Sequence, residues 1–207
     1  MKNDLLLKIA EKGYIVGYGA CLNFATFDIV KKCPGRLAFL SIVVGILGLA
    51  WPGFAGTFVS IIVLILGIVS IYIERFTYDI DSYGKRGVTN TNQLNYLKNL
   101  YYEVKAMEEN ADFSDIEAKY IAIEQEFNYG SQPNQILFSN WLAHFKFFCE
   151  KDVSWMDEQL HFGCWKDKIP KTAHICIYIF ILIVIVYYCV KVPVLNEFFS
   201  NILIIDN

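Results

Sequence analysis

The chain has 207 residues, 55% of them hydrophobic and 19% charged, with a net charge of -3. Its mean hydropathy of +0.37 is high for a soluble domain, while that much charge is too high for a protein wholly in lipid. No basic stripe stands out to track a phosphate backbone, so direct nucleic-acid binding is not expected.

Residues 1–36 hold six bases against three acids. The opening MKNDLLLKIAEKGYIVGYGA does not read as a signal peptide. Lys8, Glu11 and Lys12 interrupt its apolar stretch and no small-x-small cleavage site follows. It is expected to be retained. Asp4 to Lys32 reads as an amphipathic helix with Leu5, Leu6, Ile9, Ile15 and Val16 as its apolar side. Gly13, Gly17 and Gly19 each weaken that helix by about 1 kcal/mol.

From Leu37 to Ile73 no residue is charged, and Trp51-Pro52-Gly53 splits the run. Its 37 residues are too many for one crossing and right for a helical hairpin, since roughly 20 apolar residues span the hydrocarbon core. The first arm, Leu37 to Ala50, has 14 residues and falls roughly a quarter short. Either it borrows residues around Pro34 and Arg36 or the hairpin does not fully cross. Ser41, Gly45 and Gly48 on the first arm and Gly56, Ser60 and Gly67 on the second are candidate helix-packing or pore residues. Small side chains let backbones approach in lipid, either within the hairpin or between subunits. No acid or base lies inside a span, so the marks of a proton relay are missing.

Residues 74–170 hold ten bases against sixteen acids. The second span is expected to run on as a helix through Tyr78, with a break at Asp81, Ser82 and Gly84. Leu94, Leu97, Leu100 or Tyr101, Val104 and Met107 then recur at helical spacing and predict one buried face. Ser114-Asp115-Ile116-Glu117 has the form of a capping box, opening a helix striped by Ile116, Tyr120, Ile123 and Phe127. Asn128 to Pro133 carry turn chemistry.

A third, aromatic-rich helical stretch is expected from about Asn134 towards Trp165, with Trp141, His144, Phe145 and Phe148 on one face. Trp155, Phe162 and Trp165 are expected at headgroup level, where aromatics concentrate. The eight acids of residues 103–126 form either a solvated face or a docking surface for a basic partner. His144, Lys146, Asp157 and Glu158 can be drawn as an acid–base set. Without a glycine-rich loop, nucleophile elbow or metal motif, no enzyme is expected. Six cysteines stand at 21, 33, 149, 164, 176 and 189, and His144, Cys149, His161 and Cys164 match no zinc spacing. No metal and no cofactor are expected.

Thr172 to Val190 form a third uncharged run, entered past Lys166, Lys168 and Lys171. Bases flank the other spans at Lys31, Lys32 and Arg36 and at Arg75, Lys85 and Arg86, while the hairpin turn is uncharged. Basic flanks mark the cytoplasmic side. The expected protein is an all-α, multi-pass integral membrane protein with a cytoplasmic N-terminus. Its parts are an amphipathic cytoplasmic segment (1–36), a transmembrane hairpin (37–73), a cytoplasmic helical bundle (74–170), a third transmembrane helix (171–193) and a short external tail (194–207).

A close apolar hairpin, the tract QLNYLKNLYYEVKAMEENADFSDIEAKYIAIEQEF and the stretch HFKFFCEKDVSWMDEQLHFGCWKDKIP before another span together resemble the SLATT family. These are SMODS- and SLOG-associating two-transmembrane effectors, here in a subgroup with an additional C-terminal span. The resemblance covers roughly residues 36–192. It implies an effector of bacterial anti-phage or conflict systems that oligomerises and permeabilises the inner membrane when an associated sensor signals. That sensor would be a cytosolic protein or a nucleotide second-messenger system, and membrane lipid and other copies of the chain would be further partners. His144, Lys146, Trp155, Asp157, Gln159, Asp167 and Pro170 match the family's motif before the last span. They stand as a candidate signal-coupling motif or as a structural one. A scaffold recruiting a cytosolic partner is the alternative reading, and a small channel or transporter component the third.

Overall fold

The computed structural model describes residues 2–51, 56–129 and 134–191. The hairpin turn at Pro52-Gly53, the end of the 128–133 turn and the expected external tail lie outside the described residues. Those described are helical with no strand among them, as an all-α membrane protein requires. Three helices are long and apolar enough to cross a membrane. The chain divides into two units, Met1–Phe162 and Gly163–Asn207.

The first unit is organised on one helix. α1 runs unbroken from Lys2 to Ala50, 49 residues, or roughly 73 Å at the helical rise. It does not stop at Lys32 but carries the basic segment and the first apolar arm as one rod. Pro34 lies inside it and deprives the helix of one backbone hydrogen bond. The N-terminal half is a core element: Leu5, Leu6, Ile9 and Val16 are buried. Ile15 departs from the expectation, being 50% exposed. Residues 5, 9 and 16 follow the helical period onto one face, and position 15 falls off it. Lys12 enters the core in its place. Its ammonium lies 3.0 Å from Glu124 Oε1 and 5.1 Å from the centre of the Phe127 ring.

α2 (Thr57–Glu74) is the second apolar arm. The expected helix through Tyr78 with a break at 81–84 is corrected. α2 ends at Glu74, a 3-10 turn covers Thr77–Asp79, and α3 (Ile80–Ala106) begins at once. Gly84 is interior to α3, and the Phe27 ring lies against it, where a Cβ would come within 3.1 Å of that ring. α3 runs antiparallel to α1: Gly17 meets Leu94, Phe24 meets Gly87 and Phe27 meets Gly84. The Leu94, Leu97, Leu100, Tyr101 and Val104 face is buried against it. α4 (Ser114–Tyr129) opens where the Asp112 carboxylate accepts the Ser114 N–H at 3.0 Å, and it packs Ile116, Tyr120, Ile123 and Phe127 on the same core. A smaller cluster of Val30, Ile73 and Ile136, flanked by Leu37 and Ile80, closes the bundle where α1 and α2 become wholly apolar.

The expected single aromatic helix is broken into pieces. α5 covers Ser139–Phe145, a π-helical turn Lys146–Glu150, and α6 Ser154–Leu160. The inward face runs through Ser139, Ala143, His144 and Phe147, which are buried, whereas Phe145 is 57% exposed. Trp155, expected at headgroup level, is 1% exposed inside the protein core, and Phe162 also packs there.

In the second unit, α7 (Lys171–Lys191) carries the third apolar run. Pro170 immediately precedes it and its carbonyl accepts the Ala173 N–H at 2.8 Å.

Candidate functional site

Glycines on the rod make the sockets that receive the aromatic segment. A Cβ at Gly13 would lie 2.4 Å from Cη2 of Trp155, and one at Gly17 would lie 2.9 Å from the Phe147 ring. Only a bare Cα lets those rings seat, so these glycines act in packing where the sequence suggested helix weakness. Tyr14 stands edge-on to Phe147 at 5.5 Å, and Tyr101 of α3 lies 5.2 Å from Trp155. α1, α3 and the segment 139–160 thus meet around two buried rings.

Three ion pairs fasten the rim of this joint. Lys146 of the π turn pairs with Asp28 of α1, which also holds Lys32 at 2.7 Å. Lys98 reaches Asp152 at 2.7 Å, and Lys105 reaches Glu158 at 2.6 Å. Glu158 also accepts the Tyr101 hydroxyl at 2.9 Å, and Gln159 Nε2 donates to Tyr101 Oη at 3.1 Å. Burial pushes the Asp28 carboxyl up, but its bonds to Lys146 and Lys32 outweigh this and leave it below its ordinary value. Lys98 first, then Ser154, holds Asp152 down to about 2. Lys105 and Tyr101 lower Glu158. Each carboxylate is stabilised as the anion by the group it holds.

Of the proposed coupling motif, five residues lie in this first unit. His144 packs between Tyr18 and Phe148, at ring-centre distances of 6.2 and 4.8 Å. Lys146, Trp155 and Gln159 make the contacts just given. Asp157 Oδ1 accepts the Phe162 N–H at 2.6 Å, holding the chain where it leaves α6. In the second unit Asp167 Oδ2 accepts the Gly163 N–H at 2.9 Å. The drawn acid–base set does not form: Lys146, Asp157 and Glu158 each serve a different attachment. The Cys21 thiol is pushed up to about 11, chiefly by burial, which keeps it protonated at neutral pH.

The hairpin residues are arranged differently. Ser41 and Ser60 donate to carbonyls of their own helices, Leu37 O at 3.0 Å and Gly56 O at 3.4 Å. Around a Cβ placed at Gly45, Gly56 or Gly67 nothing lies within 4 Å. Gly48 is half-exposed on the same arm. These positions therefore present bare backbone outward.

A groove of about 490 Å³ lies beside the joint, between α3 and α4, lined by Lys85, Arg86, Asn90, Gln93 and Phe127 among others. Asn90 and Gln93 are buried, and Gln93 Oε1 has no hydrogen-bond partner among the described residues. Sequence reasoning missed Asp28, Gly13, Gly17, Tyr101 and Phe147 as members of the joint. Asp28 and Lys146 stand 118 positions apart, so no local pattern joins them.

A protein family described as "SMODS and SLOG-associating 2TM effector domain 6" matches residues 1–177. Neither the curated proteins nor the solved structures give a match.

Proposed function

The chain belongs to the family of SMODS and SLOG-associating 2TM effector domains, a membrane effector of conflict systems, and from that membership we propose a mechanism of signal-gated membrane permeabilisation. Copies of the chain assemble in the bacterial inner membrane through the outward-facing backbone of the hairpin. The N-terminus and the bundle face the cytoplasm, as the basic flanks of the spans indicate. A cytosolic sensor or nucleotide second messenger acts on the bundle and shifts it between a resting and a permeabilising state.

The observation that carries this reading is the continuity of α1 from Lys2 to Ala50. Its first half is gripped by Trp155, Phe147 and the Asp28–Lys146 ion pair, and its last 14 residues are the first apolar arm. A change in how the bundle holds the rod is delivered to the span through the same helix. A ligand can drive that change only by its difference in affinity between the two states.

The test is depolarisation of cells expressing the chain together with its genomic neighbours during phage challenge. Loss of membrane potential should follow challenge and should diminish in Gly45→Leu and Ser60→Leu, which add bulk where backbones of neighbouring copies would meet. An inserted, folded protein that never depolarises cells would favour a scaffold instead.

A further inference from the structure

Leu137 and Phe138 are 62% and 64% exposed, and Trp141 on the next turn is also exposed. Phe138 and Trp141 stand edge to face, 6.3 Å between ring centres. Four large apolar groups, with Phe145 one more turn along α5, form one stripe at positions 138, 141 and 145 beside Leu137. Such a contiguous patch on a cytoplasmic element calls for a partner.

Its depth in the protein is fixed by what holds it. The Leu137 N–H donates to the hydroxyl of Tyr72 at 3.2 Å. Tyr72 is in the last turn of α2, two residues before Glu74 ends the apolar run. Ile136 packs with Ile73 and Leu37, the last and first uncharged residues of the hairpin arms. The Tyr83 hydroxyl donates to the Asn134 carbonyl, and Ser139 Oγ donates to Ile136 O at 2.6 Å. The segment is thus tied at the level where both arms leave the hydrocarbon. Phe138 has φ 67°, a left-handed conformation that bulky side chains rarely adopt. The ties on either side hold that conformation, and the ring is exposed.

We propose that Leu137, Phe138 and Trp141 form an aromatic knuckle embedded in the headgroup region of the cytoplasmic leaflet. The partner is phospholipid. The argument is continuity: Tyr72, which holds the knuckle, is itself on the lipid-facing helix α2, so the patch extends that surface sideways. Aromatic side chains favour this zone because an apolar ring and a polar edge are both accommodated there. The bundle then has an attachment to the membrane besides its spans, which fixes its tilt. This inference does not depend on whether the effector permeabilises membranes.

The experiment places photoreactive p-benzoylphenylalanine at position 138 of the full chain in phosphatidylethanolamine–phosphatidylglycerol nanodiscs. Irradiation should attach phospholipid, as it should for the same group at Phe58 on α2, and not for the group at Tyr96 on α3, which is exposed on the bundle. If the variant at 138 is lost from the membrane, position 141 serves with the same expectation. Adducts at both 138 and 141 with a second copy of the chain, or no lipid adduct while Phe58 gives one, would overturn the proposal.

Discussion

Gly13 lies directly under the indole of Trp155, so closely that a methyl group at position 13 would sit 2.4 Å from Cη2. The contact joins a residue near the start of the chain to one in α6, the last helix of the first unit. It shows why the rod tolerates Gly13 and Gly17 at a cost in helix stability: each leaves room for a ring that a Cβ would crowd.

Gly13→Ala should therefore destabilise the protein by up to about 2 kcal/mol, an overpacking cost of about 1–3 kcal/mol offset by the ~1 kcal/mol that alanine gains over glycine within a helix. Gly45→Ala, where nothing lies within 4 Å of the new Cβ, should be neutral or slightly stabilising. Thermal unfolding in detergent of the two variants checks the contrast.

Trp155→Ala should cost about 3–5 kcal/mol, the range for emptying a buried aromatic site. Phe145→Ala should change stability by no more than about 0.5 kcal/mol, because the ring is largely exposed. Denaturant titration separates them. Equal losses at both positions would contradict the burial of Trp155 and the exposure of Phe145.

Acid should loosen the joint. Asp28, Asp152 and Glu158 all have folded-state values below the ordinary ones. Their contribution is therefore complete above the unfolded carboxylate value and is lost as pH falls through the folded one. For Asp152 the window runs from 3.8 down to about 2. The melting temperature should fall across it, and Asp152→Asn should flatten that part of the profile. A slope unchanged by Asp152→Asn would remove the Lys98–Asp152 pair from the account.

A cysteine at Asn110, in the region that the basic flanks assign to the cytoplasm, should stay unlabelled by a membrane-impermeant maleimide added to intact cells. One at Asn207 should react. Labelling at 110 would reverse the orientation inferred from the basic flanks.

The helical class, the apolar arms and the α3 stripe of Leu94, Leu97, Leu100 and Val104 were legible because local periodicity encodes them. The joint was not. Gly13 and Trp155 are separated by most of the bundle in sequence, and a glycine socket leaves no local mark except lowered helix propensity. The same limit hid Asp28, whose partner Lys146 stands 118 positions away. The aromatic segment misled for another reason. Large apolar groups stand on more than one of its faces, so helical spacing alone does not tell the inward face through Ala143 and Phe147 from the outward one through Trp141 and Phe145. Lys12 was likewise read as an interruption. Its burial depends on Glu124 and Phe127, more than a hundred residues away.

The central claim is that α1 carries a change in the bundle to the membrane span. Its weakest turn surrounds Pro34, and Gly35 beside it has open space around it. Inserting a short run of glycines after Gly35 should leave the bundle folded and the hairpin inserted while cutting the mechanical link between them. The decisive measurement is membrane potential during phage challenge, in cells expressing this variant or the natural chain with the same genomic neighbours. The natural chain should depolarise the cells and the glycine-insertion variant should not, at equal membrane abundance. Equal depolarisation by both would contradict transmission through α1.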